Sequence, residues 1–180
     1  MSIALIALGS NLGDRRGHMA HGLARLAEGP DTHLLAVSDL YETAPVGGPD
    51  NQGPYLNAVA RVETSLGPRA LLDRLLGIEA ERLRERRVRW GPRTLDLDLI
   101  AYGDMVSDDP DLTLPHPRAH ERGFVLRPAA DVARDWVHPR LGRTVGALLD
   151  ALDDDQGDLT AVDRTWGDRW LPGSGAGAGA

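Results

Sequence analysis

Polar and apolar positions alternate cleanly over several short stretches of this chain, and each stretch predicts an element. Ile3 to Leu8 is a short apolar run and reads as a buried strand. Gly9-Ser10-Asn11-Leu12-Gly13-Asp14 breaks it as a tight turn, with Asn11 or Asp14 capping the next helix. That helix is predicted from Arg15 to about Ala27, with Met19, Leu23 and Leu26 on one face and Gly29-Pro30 as its stop. His33 to Leu40 is the second strand, with Leu35 and Val37 on one face, and Tyr41 to Pro45 leaves the sheet. Val46 to Pro54 is a Gly- and Pro-rich loop, long for a hairpin, and such loops often carry function. Tyr55 to Glu63 is the third strand; Leu56, Ala58, Ala60 and Val62 form its core face, so Tyr55 and Asn57 point away from the core.

Gly67-Pro68 opens a second helix whose stripe is Leu71, Leu72, Leu75, Leu76 and Ile78. Past Glu79 the sequence turns mostly polar, with no apolar stripe beyond Leu83 and Val88. It either continues as a solvated helix or frays into an arginine loop before Gly91. Leu95 to Tyr102 is the fourth strand. The order is strand, helix, strand, strand, helix, strand, an α+β, ferredoxin-like β-α-β-β-α-β core. Its antiparallel sheet carries the helices on one face and leaves the other open for a ligand. C-terminal elements extend this core: a stiff loop over Leu112–Pro117, a helical turn over Arg118–Arg122, Phe124-Val125-Leu126, then short helices over Arg127–Ala133 and Val145–Leu152. Residues 1–170 read as a single domain. Residues 171–180, a Gly/Ala-rich low-complexity tail, have nothing to bury.

The chemistry concentrates between Arg89 and Ile100. Leu95, Leu97 and Leu99 share one strand face, and Asp96 and Asp98 share the other. Side chains at i and i+2 of a strand lie roughly 7 Å apart and point the same way. Two carboxylates held like that repel unless a cation lies between them. Mg²⁺ fits, because it is readily shared between one or two carboxylates and substrate phosphates. Arg84, Arg86, Arg87, Arg89 and Arg93 precede the pair, and arginine forks match phosphate oxygens. Taken alone, Leu-Asp-Leu-Asp-Leu is equally a half-buried strand with one wet face, and the arginines a solvated helix face. Joined through the Gly91-Pro92 corner, they favour a polyphosphate site.

Composition narrows the classes. At 180 residues, with 42% hydrophobic and 26% charged residues, the chain has ordinary globular values. A net charge of −7 argues against a general nucleic-acid binder. Every basic residue is an arginine, which excludes a P-loop lysine and a Schiff base. With 0 cysteines there is no disulfide, thiolate nucleophile or Cys-zinc site. No signal-peptide or membrane-spanning pattern is present, so a cytoplasmic enzyme with no membrane partner is the expectation.

Five motifs then combine: Leu8-Gly9-Ser10-Asn11, Tyr41 to Pro45, Tyr55-Leu56-Asn57-Ala58, Arg89 to Leu99, and Leu114-Pro115-His116 with Arg122-Gly123-Phe124. In this order, over about Ile3 to Ala133, the chain resembles the 6-hydroxymethyl-7,8-dihydropterin pyrophosphokinases of folate synthesis. The resemblance implies transfer of the pyrophosphoryl group of ATP, as co-substrate, to the pterin hydroxymethyl oxygen with release of AMP. It implies two Mg²⁺ ions on Asp96 and Asp98. Arg84, Arg93 and Arg122 are implied as phosphate clamps, with Arg86 and Arg89 nearby. It further implies nucleotide contacts from Glu79 near the ribose, Trp90, Leu99, Thr113 and His116. Pterin contacts are implied for Thr43, Ala44, Pro45, Val46, Asn57, Trp90 and Asp96, with Tyr55 and Phe124 as the two walls of a ring sandwich. No general base stands out. A monomer with only small-molecule partners is expected. Leu83, Asp111 and Pro117 depart from the family pattern. Two rivals remain at this point. A two-metal phosphodiesterase or nuclease would also use Asp96 and Asp98, though it normally needs further ligands. An RRM-like binding module shares the element order, but it needs sheet-borne aromatics and basic charge, and aromatics are 4% here.

Overall fold

A computed structural model describes residues 1–44, 52–82, 94–152 and 159–171. The chain runs β1 (Ser2–Ser10), α1 (Arg15–Ala27), β2 (Thr32–Val37), β3 (Leu40–Thr43), β4 (Tyr55–Thr64), α2 (Pro68–Glu81) and β5 (Asp96–Tyr102). There follow β6 (Ser107–Asp109), β7 (Leu112–Leu114), α3 (Gly123–Ala133), β8 (Val137–His138), β9 (Arg143–Thr144), α4 (Val145–Asp150) and β10 (Thr160–Asp163), with 3₁₀ turns at Ala119–Glu121 and Gly167–Trp170. The Asp14 carboxylate caps α1 by accepting from the Gly17 amide at 3.0 Å. The α1 bounds are those its local signals predict. In α2, Gly67 is the cap and Pro68 opens the first turn, where a missing N–H costs nothing.

The main sheet has the order β10-β3-β4-β1-β5, with β2 also paired to β4. This is the strand arrangement of the expected ferredoxin-like α+β core. The single second strand of the sequence reading is in fact broken in two. Ser38 inserts its hydroxyl into the ladder, accepting from the Val59 amide at 2.9 Å and donating to the Asp39 carbonyl at 2.7 Å. β3 then resumes against β4, so Tyr41–Thr43 stays in the sheet instead of leaving it. Within β2 the register shifts between Leu34 and Ala36. The bulge turns Leu35 outward and puts Leu34 and Val37 in the core, which the plain alternation missed.

Helices α1 and α2 bury Met19, Leu23, Leu26, Leu71, Leu75 and Ile78 against Ile6, Leu8, Leu56, Ala58, Ala60, Leu97 and Leu99 of one sheet face. The opposite face is not open along its length, contrary to the expectation. Phe124 to Ala133 is one continuous helix, α3, and with α4 it packs Val125, Leu126, Ala129, Val132, Val145 and Leu148 on Leu5, Val59 and Ile100. Among the described residues, α3 and α4 cover this face as far as Ala7 and leave the end at Gly9 uncovered. The Leu112–Leu114 stretch, expected as a loop, is a strand hairpinned to β6. The edge strand β10 was not foreseen at all. Trp166, just after it, is 3% exposed and belongs to the core under α1.

Candidate active site

The uncovered end of the sheet is built by register. Gly9 of β1 lies opposite Asn57 of β4 on one side and Asp96 of β5 on the other; one pair back, Ala7 lies opposite Val59 and Asp98. Cross-strand partners share a face, so Asn57, Gly9 and Asp96 form one row, with Asp98 beside it. Gly9 leaves the middle of that row without a side chain. A Cβ there would stand 3.7 Å from Asn57 Oδ1 and 3.9 Å from the Tyr55 ring, so its absence makes a shallow trough between the amide and the carboxylate. Thr43 lies opposite Tyr55, and the Asn57 amide donates to Thr43 Oγ1 at 2.9 Å.

A cleft of about 300 Å³ opens beyond Asp96 and Asp98. It is lined by Leu72, Leu76 and Glu79 of α2, by β5 as far as Leu99, and by Pro110 to Thr113, His116 and Pro117. The Glu79 side chain is nearly fully buried, and Oε1 accepts from the Leu97 amide at 2.8 Å. Burial pushes its carboxyl up to about 8; the Leu97 bond opposes this, while the charge of Asp96, a hydrogen bond to Asp96 and the charge of Asp98 reinforce it. Glu79 therefore favours its protonated form at neutral pH, with Asp96 as a hydrogen-bonding neighbour. His116 is pinned by its own amide, which donates to the Ile100 carbonyl at 2.8 Å, and its Nδ1 accepts from the Arg118 amide at 3.2 Å. Burial first, then Arg122, holds the imidazole below its usual value, which favours its neutral form. Arg122 is half-buried in the field of Asp98 and Asp96, at the N-terminal end of α3, with its guanidinium carbon 5.6 Å from the centre of the Phe124 ring. The Thr113 hydroxyl donates to the Asp109 carbonyl at 3.0 Å.

The structure thus gathers Glu79, Asp96, Asp98, Leu99, Thr113 and His116 around the cleft, with Arg122 in the field of the two aspartates. Thr43, Tyr55 and Asn57 lie across the Gly9 trough. Ala44 follows β3 at the surface. Phe124 is only half-buried and packs against the α3–α4 cluster, so it is partly core filling. Pro45, Val46, Arg84, Arg86, Arg89, Trp90 and Arg93 lie outside the described residues, as does Leu83. The base of the 83–93 segment is tied where the Thr94 hydroxyl donates to the Arg82 carbonyl at 2.8 Å. Sequence reasoning missed the apolar wall of Leu72, Leu76, Leu112 and Pro117. Leu76, expected in the core stripe, is 43% exposed. Asp111, left out of the expected site, also lines the cleft.

Glu79 makes stability pH-dependent. With its folded value raised to about 8 from an ordinary 4.5, the folded state holds a proton that the unfolded chain has lost anywhere between those pH values. Its contribution is complete below the lower value and is lost as pH rises towards the upper one. In EDTA, Glu79→Gln should flatten the fall of Tm between pH 5 and 8.5 and raise Tm at pH 8 by a few degrees, on the scale of about 1–3 kcal/mol. Parallel Tm–pH curves for the two proteins would mean that Glu79 carries no such proton.

A family model described as 7,8-dihydro-6-hydroxymethylpterin-pyrophosphokinase matches residues 5–134 of this chain. The chain belongs to that family. Relatives named 2-amino-4-hydroxy-6-hydroxymethyldihydropteridine pyrophosphokinase agree. The one from Pseudomonas aeruginosa is 45% identical over 146 residues, 81% of this chain and 89% of that protein. Those from Haemophilus influenzae and Bacillus subtilis are each 44% identical, over 77% and 74% of this chain and 86% and 79% of their own lengths. Among solved structures, the Plasmodium falciparum HPPK-DHPS triple mutant with SDX-DHP superposes with a TM-score of 0.63 at 17% identity, a likeness of fold. It covers 83% of this chain, which spans under half of that one, 44%. The pyrophosphokinase transfers pyrophosphate to hydroxymethyldihydropterin in folate biosynthesis, with ATP as co-substrate. Family membership sets aside the nuclease and the RRM-like module. Among the described residues no helix is long and apolar enough to cross a membrane.

Proposed function

We propose that the pyrophosphokinase works with two Mg²⁺ ions held by Asp96 and Asp98. The donor set fits this metal. Both carboxylates are half-buried on one strand face, and no group of three or more His, Asp and Glu among the described residues is disposed to hold a metal alone. The remaining coordination then falls to phosphate oxygens and water, as Mg²⁺ prefers. When bound, the ions neutralise triphosphate charge.

The chain's own residues then bind and orient. Arg122 clamps phosphate oxygens, with Arg84 and Arg93 assigned the same task and Arg86, Arg89 and Trp90 assigned to the nucleotide as well. Leu72 and Leu76 offer an apolar wall to the base, Leu99 backs the cleft, and Thr113, neutral His116 and Glu79 contact the nucleoside. The pterin lies at the other side of the Gly9 trough, its edge read by Asn57, Thr43 and the chain from Ala44 through Pro45 and Val46, its faces against Tyr55 and Phe124. Asp96 stands between the two substrates. The pterin hydroxymethyl oxygen attacks the β-phosphorus in line; the bond from that phosphorus to the α-phosphate oxygen breaks, AMP leaves with the electron pair, and the hydroxyl proton passes to solvent. Catalysis is then mainly positioning. The chain acts as a monomer on small molecules in the cytoplasm, without nucleic acid.

One observation carries this reading: Asp96 and Asn57 flank Gly9 in a single row, which sets a metal ligand beside a hydrogen-bonding pterin reader. The full chain with ATP, 6-hydroxymethyl-7,8-dihydropterin and Mg²⁺ should yield AMP and pterin diphosphate in equal amounts, and EDTA should stop both. Turnover undiminished in EDTA, or ADP as product, would overturn it.

A further inference from the structure

Arg15 opens α1, and its side chain makes two bonds from one nitrogen. Nη1 donates to Glu42 Oε2 at 3.0 Å and to the Pro54 carbonyl at 2.8 Å. Glu42 sits near the end of β3, and Pro54 immediately precedes β4. These strands pair antiparallel up to Thr43 opposite Tyr55, the last pair before they part. Glu42 alternates with Tyr41 and Thr43, so Arg15 reaches the sheet from the α1 side, behind the face that carries Thr43, Tyr55 and Asn57. A second tie comes from the same turn, where the Asn11 amide donates to Gln52 Oε1 at 3.1 Å.

We propose that Arg15 is a positioning residue for the pterin, clamping Glu42 to Pro54 so that the ends of β3 and β4 hold the spacing the pterin edge requires. This rests on placing the pterin at Thr43, Tyr55 and Asn57. The pair is partly exposed, with side chains 29% and 35% accessible, and such pairs contribute little to global stability. Its effect is therefore local. The Asn57–Thr43 bond spans the same two strands within one residue of Glu42, so any splaying there moves the groups that read the ring. The clamp itself is anchored, because the Asp14 cap fixes the first turn of α1 and Met19, Leu23 and Leu26 hold the helix in the core. On its far edge β3 is held by β10, where Thr160 faces Glu42. Arg15 thus restrains the one side that the strand pairing leaves to side chains.

The test uses the full chain with Arg15→Met, Arg15→Lys and Asn57→Ala, reading KM for each substrate and backbone hydrogen exchange. Arg15→Met should raise KM for the pterin by about tenfold while KM for ATP moves less than about twofold, a loss of alignment rather than of a direct contact. Exchange should quicken at residues 42–44, 55 and 56 and not elsewhere. Arg15→Lys, which returns a cationic nitrogen to the same region, should recover most of the pterin affinity. Both KM values rising together with a fall in Tm would make Arg15 merely structural and overturn the inference. So would an unchanged pterin KM in Arg15→Met when Asn57→Ala raises it. If Asn57→Ala also leaves the pterin KM unchanged, the pterin is not at this rim, and the reading beneath the inference falls with it.

Discussion

Asp96→Ala and Asp98→Ala should each abolish turnover, with a loss of at least about 10³ in kcat, while the protein stays folded. The two carboxylates stand on the uncovered end of the sheet and hold no part of either core, so their removal opens no cavity. Asp96 has a further neighbour in Glu79, buried beneath it and kept protonated in part by the charges of Asp96 and Asp98. Removing Asp96 lifts that repulsion but also takes away a hydrogen-bond partner of Glu79, so the metal-free variant should melt close to the parent at pH 8. Turnover and EDTA-treated Tm, measured side by side, separate the two roles. Near-parental rates would discard the two-aspartate metal site. Loss of soluble folded protein would make the pair a structural element instead.

The second large effect is expected at Arg122. Its guanidinium lies half-buried over Phe124, in the field of Asp96 and Asp98, at the N-terminal end of α3, where backbone N–H groups also favour an anion. As the phosphate clamp proposed above, half-buried, it would act most strongly on the charge of the transition state. Arg122→Ala should lower kcat by about 10²–10³, with a smaller change in ATP affinity. Arg122→Lys should restore only part of the rate, since a point charge does not reproduce the planar fork. Single-turnover rates beside equilibrium ATP binding decide this. An effect confined to ATP affinity, or a fall in Tm with unchanged rate, would remove Arg122 from the phosphate site.

The parts legible in the sequence are those whose causes are local. The Asp14 cap and the Gly29-Pro30 stop act within a turn of the helix they bound, and α1 has the expected span. Period-two alternation sorts the side chains of β4 and β5 onto two faces whatever they later pack against, so Asn57, Asp96 and Asp98 were placed away from the α1–α2 core before any register was known. The motif from Arg89 to Leu99 carries its chemistry in consecutive residues. Residues 83–93 lie outside the described part, so that half of the site still stands on its sequence alone.

Tertiary structure decided the rest, because there the cause lies far along the chain. Whether Ser38 continues a strand or breaks it depends on the Val59 amide that its hydroxyl accepts from. Whether the second sheet face is open depends on α3 and α4, which cover Leu5, Val59 and Ile100 and stop short of Gly9. Glu79 reads as the first residue of a polar run; only the packing of α2 on β5 buries it against Leu97 and Asp96 and keeps it protonated. The sequence by itself determined the local elements, their two faces and the pair of carboxylates. The tertiary structure decided which end of which face stays uncovered and which distant side chains meet there. Register and burial are contacts between residues remote in the chain, and no periodicity within one segment encodes them.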